Sequence, residues 1–290
     1  MPRKIIVHLG LHKTATTSLQ KFLQANTGKF LQRGVRYIPL QRVRNEITPL
    51  FCSLDKSRRQ KLTNFLQEID KETVLFSDEN LIGAPIDIIR GEFYSFARNR
   101  VEAFCEDMKD ARITLFLTLR DPHLFLSSMY SEYLRHKDFI RFDQFLCGFD
   151  VLGFSYWKTF GWLRNLPSNT SVHVIPFEAA AGGGVVRIAR EIIVEACGSD
   201  SDINPAAFPA QKSRSAYSAE ELDLAEEIAR RADPATVKFF LKALDGHDKR
   251  FGTTRFLPLP ASVSEKLSEC YQSDLLEFAK ASPSHSPGRS

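Results

Sequence analysis

The sequence lacks the features that mark several common classes of protein. Its 290 residues include only 5 cysteines, which are widely scattered, and no two stand at the C-x-x-C spacing of a zinc or redox site. Scattered cysteines in an odd number are typical of reduced thiols. No stretch approaches the roughly 18 consecutive apolar residues of a membrane span, and residues 1–30 lack the apolar segment of a signal peptide. We therefore expect a cytoplasmic protein without a membrane span.

A dense block of basic residues is also missing. The chain has 39 Lys and Arg against 35 Asp and Glu, a net charge of +4 that suits an anionic ligand but not a protein that coats nucleic acid. The arginines at positions 33, 36, 42 and 44 are interpreted as a solvated face, since most clusters of charge are solvated. The partner expected from charge is a small anionic molecule and not a nucleic acid.

What is present is an alternation of strands and helices. Apolar or β-branched runs predict strands at 4–9, 35–38, 73–77, 113–119 and 172–175, and helical stripes lie between them. Helices are predicted at 185–197, 218–231, 236–244 and 262–280. The expected fold is α/β with three layers, a central parallel sheet flanked by helices. One domain is predicted for residues 1–280, followed by a disordered tail at 281–290 that is rich in serine and proline.

The loop after the first strand carries the strongest signal for function. The strand ends near Gly10, and a small, hydroxyl-rich segment with one lysine, Lys13, leads into a helix. Such a loop directs backbone N–H groups and the positive end of a helix at one point, where a phosphate group binds. A Walker A loop would place its lysine after a second glycine. The loop therefore predicts phosphate binding, but not of the ordinary ATP type.

Two further segments follow predicted strands. Arg120 and Asp121 come directly after the strand at 113–119, and Pro122 suits the first turn of a helix that contains Ser128. Asp78 and Glu79 follow the strand at 73–77. Ligands of open parallel sheets bind outside the carboxyl ends of the strands, so all three segments are expected at one crevice.

Together these segments resemble the PAPS-dependent sulfotransferases, in particular their bacterial cytoplasmic branch (PAPS is 3′-phosphoadenosine 5′-phosphosulfate). Residues 8–20 resemble the loop that binds the 5′-phosphosulfate, although Ala15 stands where most members have glycine. The pattern R-x-P-x5-S-x-Y at 120–130 is similar to the element that binds the 3′-phosphate, and S-x-E-N-L at 77–81 resembles the segment whose glutamate is the proposed base.

The resemblance implies a P-loop-like sulfotransferase that moves a sulfuryl group from PAPS to an acceptor hydroxyl, on a glycan, a glycolipid or a related metabolite, without a metal. It implies cofactor contacts from Lys13, Thr14, Ala15, Thr16, Thr17, Ser18, Arg120 and Ser128, with Lys212 and Arg214 on a later basic loop as further candidates. The catalytic candidates are Lys13, Glu79 and His12, with Glu79 as base.

Two alternatives remain open. A P-loop kinase would use Thr14 for Mg²⁺ and Asp78 as its acidic residue at a strand end, although the GK[ST] order is missing. A nucleotide-binding protein without catalysis would be consistent with a Glu79 that is buried and paired. The acceptor and the oligomeric state cannot be read from the motifs.

Overall fold

The protein forms a five-stranded, all-parallel sheet flanked by helices. The computed structural model describes residues 2–53, 55, 57–83, 85–178, 184–208, 216–245 and 251–281. The strands are β1 (Lys4–His8), β2 (Val35–Tyr37), β3 (Thr73–Ser77), β4 (Arg112–Leu119) and β5 (Thr170–Pro176). Their spatial order is β2-β3-β1-β4-β5, which places β1 at the centre. The strands β2 and β3 lie on one side of β1, and β4 and β5 lie on the other. A ligand crevice is expected where the strand order reverses in this way.

Helices connect and cover the strands. The α-helices are α1 (Thr16–Ala25), α2 (Thr27–Gln32), α3 (Leu40–Arg42), α4 (Thr48–Cys52), α5 (Arg58–Gln67), α6 (Ala97–Asp107), α7 (Pro122–His136), α8 (Phe142–Phe145), α9 (Tyr156–Phe160), α10 (Gly184–Cys197), α11 (Ala219–Ala229), α12 (Pro234–Asp245) and α13 (Ala261–Ala281). A π-helical turn spans Val43–Ile47, and 3₁₀ turns span Glu79–Leu81, Pro85–Arg90 and Gly161–Asn165. Within the described ranges, no helix is both long and apolar enough to span a membrane.

Alternate residues of the strands enter two separate cores, because successive side chains of a strand point to opposite faces. Ile6 and Phe116 face a core that includes Leu19 and Phe22 of α1 and Ile188 of α10. On the other face, alternate residues of β1, β3 and β4 join a larger core that includes residues of α5, α6, α7 and the late helices α11, α12 and α13. Helices on both faces confirm the predicted three-layer α/β architecture.

The predicted elements agree with the structure to within two residues at every end of the five strands and of α10 to α13. A difference of two residues occurs at β5, which begins at Thr170 because it pairs with β4 from Ile113 onwards. That extension depends on a neighbouring strand, so it is not visible in the local pattern. Of the tail predicted at 281–290, Ala281 ends α13, and the remaining positions lie outside the described residues.

His8, at the end of β1, links the three central strands. Its ring nitrogens bond the Ser77 hydroxyl of β3 at 2.9 Å and the Thr118 hydroxyl of β4 at 3.1 Å. Burial lowers the pKa of His8 to about 4, so the ring is neutral at physiological pH. A side chain at Gly10 would place its Cβ only 2.5 Å from this ring, so glycine is required there. The interpretation of His8 as a satisfied histidine of the first strand is confirmed.

The last helix is attached to the body of the protein by a buried carboxylate. Asp274 of α13 is 6% exposed and accepts hydrogen bonds from the Ser155 hydroxyl at 2.7 Å and the Tyr156 N–H at 2.6 Å. Ser155 is the N-cap of α9. The core that contains Ile5 of β1 also contains Tyr271 and Phe278 of α13. The first strand and the last helix therefore contribute to one continuous core.

We predict that Asp274→Ala lowers the free energy of unfolding by about 1.5–3 kcal/mol, because hydrogen bonds to a buried carboxylate are lost. Urea denaturation, followed by both circular dichroism and tryptophan fluorescence, measures this change. The two probes should give one coincident transition, as expected for a single domain. Glu277→Ala, which removes only an exposed ion pair with Lys280 on the same helix, is the control. Two separate transitions in the wild type would contradict the single domain.

Candidate functional site

A cavity of about 1030 Å³ contains most of the predicted site residues. Its walls come from the segments that follow β1, β3 and β4, as expected for the carboxyl edge of a parallel sheet. The predicted residues that line it are His12, Lys13, Ala15, Thr16, Thr17, Ser18, Glu79, Arg120 and Ser128. The three motifs, which are far apart in the sequence, thus meet in one space. Its volume is at the upper end of the range usual for small-molecule sites.

Among the described residues, Thr14 is the predicted site residue that does not line this cavity. Thr14 is fully buried, and its hydroxyl donates to the Leu11 carbonyl at 2.6 Å. The hydroxyl bonds within its own loop because a buried donor needs a partner. The contact predicted from Thr14 is through its backbone and stays a prediction. Lys212 and Arg214 lie outside the described residues.

The loop after β1 has an unusual backbone. Lys13 has a φ of 65° and Ala15 a φ of 57°, and the only other non-glycine residue with a positive φ in the described ranges is Tyr94, which contacts His12. Such conformations are costly for residues with a Cβ and cluster at functional sites. No side chain caps α1, whose N-cap is Ala15, and its first turn contains no acidic residue. The free N–H groups of this helix end are therefore available to an anion.

Arg120 joins the loop to the end of β4. Its Nη1 donates to the Lys13 carbonyl at 2.7 Å, and its Nε lies 3.7 Å from a Glu178 oxygen, too far for a hydrogen bond. The side chain is 15% exposed, and Nε is a buried donor without a partner. Burial lowers the pKa of Arg120, Glu178 opposes this change, and Arg255 adds to it. Arg120 lines the cavity, and a guanidinium is suited to binding an anionic oxygen there.

Ser128 lies on α7, which begins two residues after Arg120. It is 8% exposed and lines the same cavity. Among the described residues its hydroxyl makes no hydrogen bond, whereas the neighbouring Ser127 hydroxyl is bonded to the His123 carbonyl. The structure thus brings Arg120 and Ser128 to one wall, as the motif predicts.

Glu79 is held from two sides. Its Oε1 accepts from Arg44 Nη2 at 3.0 Å, its Oε2 accepts from Gln20 Nε2 at 3.1 Å, and its side chain is 13% exposed. Asp78, not Glu79, caps the following 3₁₀ turn, accepting from Asn80 N–H. Arg44 is 40% exposed, as expected for a solvated face, but its guanidinium also bonds both Asp78 and Glu79. The packing of the segment 43–47 beside the end of β3 depends on tertiary structure, so a pattern of charges along the chain does not predict these contacts.

His12 is fixed within the loop. Its N–H donates to the Tyr94 hydroxyl at 3.2 Å, its Nδ1 lies 2.9 Å from the same hydroxyl, and its Nε2 lies 3.3 Å from Asn80 Oδ1. Since Asn80 Oδ1 can only accept, Nε2 carries the proton and the Tyr94 hydroxyl donates to Nδ1. Burial lowers the pKa of His12, while the Glu79 charge opposes this change. Both ring nitrogens are occupied, so His12 is suited to holding the loop in place.

Sequence reasoning missed several cavity residues, among them Glu132, Tyr217 and Arg255. Glu132 lies one turn beyond Ser128 on α7, and its Oε2 accepts from Lys13 Nζ at 2.9 Å. Tyr217 and Arg255 belong to a wall formed by two late segments, joined by an antiparallel bridge between Ser218 and Arg255. The sequence does contain a capping box at Ser218 and Glu221, which the structure confirms. That pattern fixes the start of α11 but not its approach to the cavity.

Comparison with known proteins identifies no relative. No family model, curated protein or solved structure matches the chain. The resemblance of its motifs to the sulfotransferases therefore stays a prediction. What the site can do is inferred from its geometry.

We predict that Ala15→Gly stabilises the protein by about 0.5–1 kcal/mol. Glycine removes the cost of a left-handed Cβ, and this gain exceeds the extra entropy of the unfolded chain. Urea denaturation of both proteins measures the difference. The control is Ala25→Gly at the other end of α1, where φ is helical and glycine should destabilise by up to about 1 kcal/mol. Destabilisation by both substitutions would contradict the left-handed backbone at Ala15.

Proposed function

We propose that the protein is a PAPS-dependent sulfotransferase with a P-loop-like sulfotransferase fold. The observation that carries this proposal is the meeting of two anion sites in one cavity. One is the uncapped N-terminus of α1 with Lys13, and the other is the Arg120 guanidinium with Ser128 on the same cavity wall. A nucleotide with phosphate groups on both the 5′ and the 3′ positions of its ribose matches two such sites.

Each residue has a role that follows from its chemistry. The N–H groups at the start of α1 and the hydroxyls of Thr16, Thr17 and Ser18 would bind the 5′-phosphosulfate, and Arg120 and Ser128 would bind the 3′-phosphate. PAPS would supply the sulfuryl group. Lys13 would neutralise negative charge that develops on the departing phosphate oxygen. No metal is needed for that neutralisation.

Glu79 is the proposed base. It lines the cavity, and its carboxylate would accept the proton of the acceptor hydroxyl as that oxygen bonds to sulfur. Arg44 and Gln20 hold the two carboxylate oxygens in a fixed orientation. The acceptor is proposed to be a hydroxyl of a glycan, a glycolipid or a related metabolite, on the resemblance alone.

The kinase alternative is weakened by two contacts. The Thr14 hydroxyl, which would bind Mg²⁺, is buried and bonded to Leu11. Asp78, which would be the acidic residue, is fully buried and bonded to Arg44, Thr48 and Asn80. Neither side chain belongs to the cavity wall.

The alternative of a nucleotide-binding protein without catalysis has one observation in its favour. Glu79 is largely buried and paired with Arg44, as that alternative expects. Measurement of turnover separates this alternative from the enzyme.

We predict that adenosine 3′,5′-bisphosphate (PAP) stabilises the protein more than adenosine 5′-phosphate or ATP with Mg²⁺. At a ligand concentration near one hundred times Kd the gain is about 2.7 kcal/mol. In Arg120→Gln the affinity for PAP should fall to that for adenosine 5′-phosphate, a loss of about 1.5–3 kcal/mol. Calorimetric titration measures both affinities.

Arg112→Gln, at the exposed opposite end of β4, is the control and should bind PAP like the wild type. Equal affinity of the wild type for PAP and adenosine 5′-phosphate, or binding of ATP with Mg²⁺ alone, would contradict the sulfotransferase proposal. If Arg120→Gln lost affinity for PAP and for adenosine 5′-phosphate to the same extent, Arg120 would act through its bond to the loop and not on a 3′-phosphate.

We predict that Glu79→Gln reduces turnover about 10²- to 10⁴-fold, since an amide cannot accept the proton. PAP affinity should stay close to the wild-type value, because the carboxylate faces the acceptor. The assay is PAP release from PAPS in the presence of a panel of sugar and phenol hydroxyls. Glu46→Gln, which removes an exposed carboxylate paired with Arg42, is the control. Near-normal turnover would exclude Glu79 as base, and PAP binding without any turnover in the wild type would favour the non-catalytic alternative.

A further inference from the structure

The cavity contains an ion pair that the proposed function does not use. Lys13 Nζ lies 2.9 Å from Glu132 Oε2, and the two side chains are 21% and 31% exposed. Both residues line the cavity. The lysine expected to meet an anionic ligand is thus already bonded to a carboxylate of the protein.

A carboxylate in this position opposes an anionic ligand in two ways. It competes for the Lys13 charge, and it repels a phosphate or sulfate that approaches the same nitrogen. The other cation at the loop, Arg120, has a looser pair, because its Nε lies 3.7 Å from a Glu178 oxygen, an ion pair without a hydrogen bond. Of these two cations, Lys13 is the one whose charged tip is hydrogen-bonded to a carboxylate.

We propose that Glu132 is an internal counter-anion of Lys13, which the phosphate or sulfate group of a ligand displaces on binding. The carboxylate thereby lowers the affinity of the site for anions and selects ligands whose charge is high enough to take Lys13 from it. The identity of the ligand as PAP or PAPS rests on the proposed function. The displacement itself requires only an anion at the loop.

The neighbours of Glu132 allow this exchange. Its Oε2 also accepts from Arg135 Nη1 at 3.1 Å, and its Oε1 lies 3.1 Å from His136 Nε2. Arg135 is itself fixed by Asp245, whose oxygen lies 3.0 Å from Arg135 Nε. When Lys13 moves to a ligand, the carboxylate keeps a cationic partner, and the high cost of an unpaired, partly buried charge is avoided.

The loop is also prepared for the exchange. Arg120 holds the main-chain oxygen of Lys13 at 2.7 Å, so the backbone can stay in place while the lysine side chain rotates. A lysine side chain has a flexible four-carbon stem and carries its charge at the tip. Rotation of one side chain is sufficient to move the charge from Glu132 to a ligand.

Acidification does not relieve this competition. Burial opposes the ionisation of Glu132, but Lys13, with His136 and Arg135, outweighs burial and lowers the pKa of Glu132 to about 2. A carboxyl group with a lowered pKa stays charged until the pH falls to that value. Glu132 therefore stays charged near neutral pH, and its competition with a ligand depends on the charge of the ligand and on salt.

The test measures the affinity of PAP and of inorganic pyrophosphate by calorimetry for the wild type and for Glu132→Gln. The amide keeps the shape and the bond from Lys13 but removes the charge. We expect both probes to bind roughly three- to tenfold more tightly to Glu132→Gln, as expected for the loss of one partly exposed competing ion pair. Glu132→Asp, whose carboxylate is one methylene further from Lys13, should show a smaller increase and serves if Glu132→Gln does not fold. The control is Glu102→Gln, which removes an exposed carboxylate paired with Arg98 on α6 and should leave both affinities unchanged.

Unchanged or weaker binding of pyrophosphate in both Glu132 variants would overturn the proposal and make Glu132 a positioning residue for Lys13. Absence of pyrophosphate binding in every protein would overturn it as well, because Lys13 would then not serve an anion site. A failure of the proposed function gives a different result. In that case PAP would bind the wild type no better than adenosine 5′-phosphate does, while Glu132→Gln would still bind pyrophosphate more tightly than the wild type.

Discussion

One hydrogen bond links the parts on which this site depends. Arg120 Nη1 donates to the Lys13 carbonyl at 2.7 Å and joins two motifs that are 107 residues apart in the sequence. The acceptor belongs to a loop with two left-handed non-glycine residues, a conformation that a short loop would not hold by itself. Below it, His8 fixes the relative positions of β1, β3 and β4. The uncapped end of α1 and the Arg120 guanidinium are therefore presented to one cavity by a rigid sheet edge.

Charge in the cavity is balanced in pairs. Lys13 is bonded to Glu132, and Glu79 to Arg44, while Arg120 keeps one donor without a partner. Paired groups cost less to bury than isolated ones, so the folded protein is stable with these charges at its centre. Under the proposed function, the same pairing means that a ligand would compete for Lys13, and that an acceptor would approach Glu79 beside Arg44. The proposed function and the proposed counter-anion both follow from this balance.

Sequence patterns were informative where the structure depends on neighbours along the chain. The strands at 4–9 and 73–77 are apolar runs bounded by polar turns, and the sheet contains both. The loop after β1 and Arg120 were placed correctly at the carboxyl edge because parallel strands bring the residues after them to one side. The charge pattern did not predict the hydrogen bond between Arg44 and Glu79, because the cluster of arginines gives no information about which of them approaches a distant carboxylate.

The sequence by itself determined the α/β class, the strand ends and the residue types that follow them, since these depend on local periodicity and on the direction of parallel strands. Tertiary structure decided the rest. It placed Glu132 against Lys13, turned the Thr14 hydroxyl away from the cavity, and brought Arg255 to its wall. These features depend on distances between elements that are remote in the chain. An ion pair or a free donor is defined by the approach of its partner, and no local pattern encodes that approach.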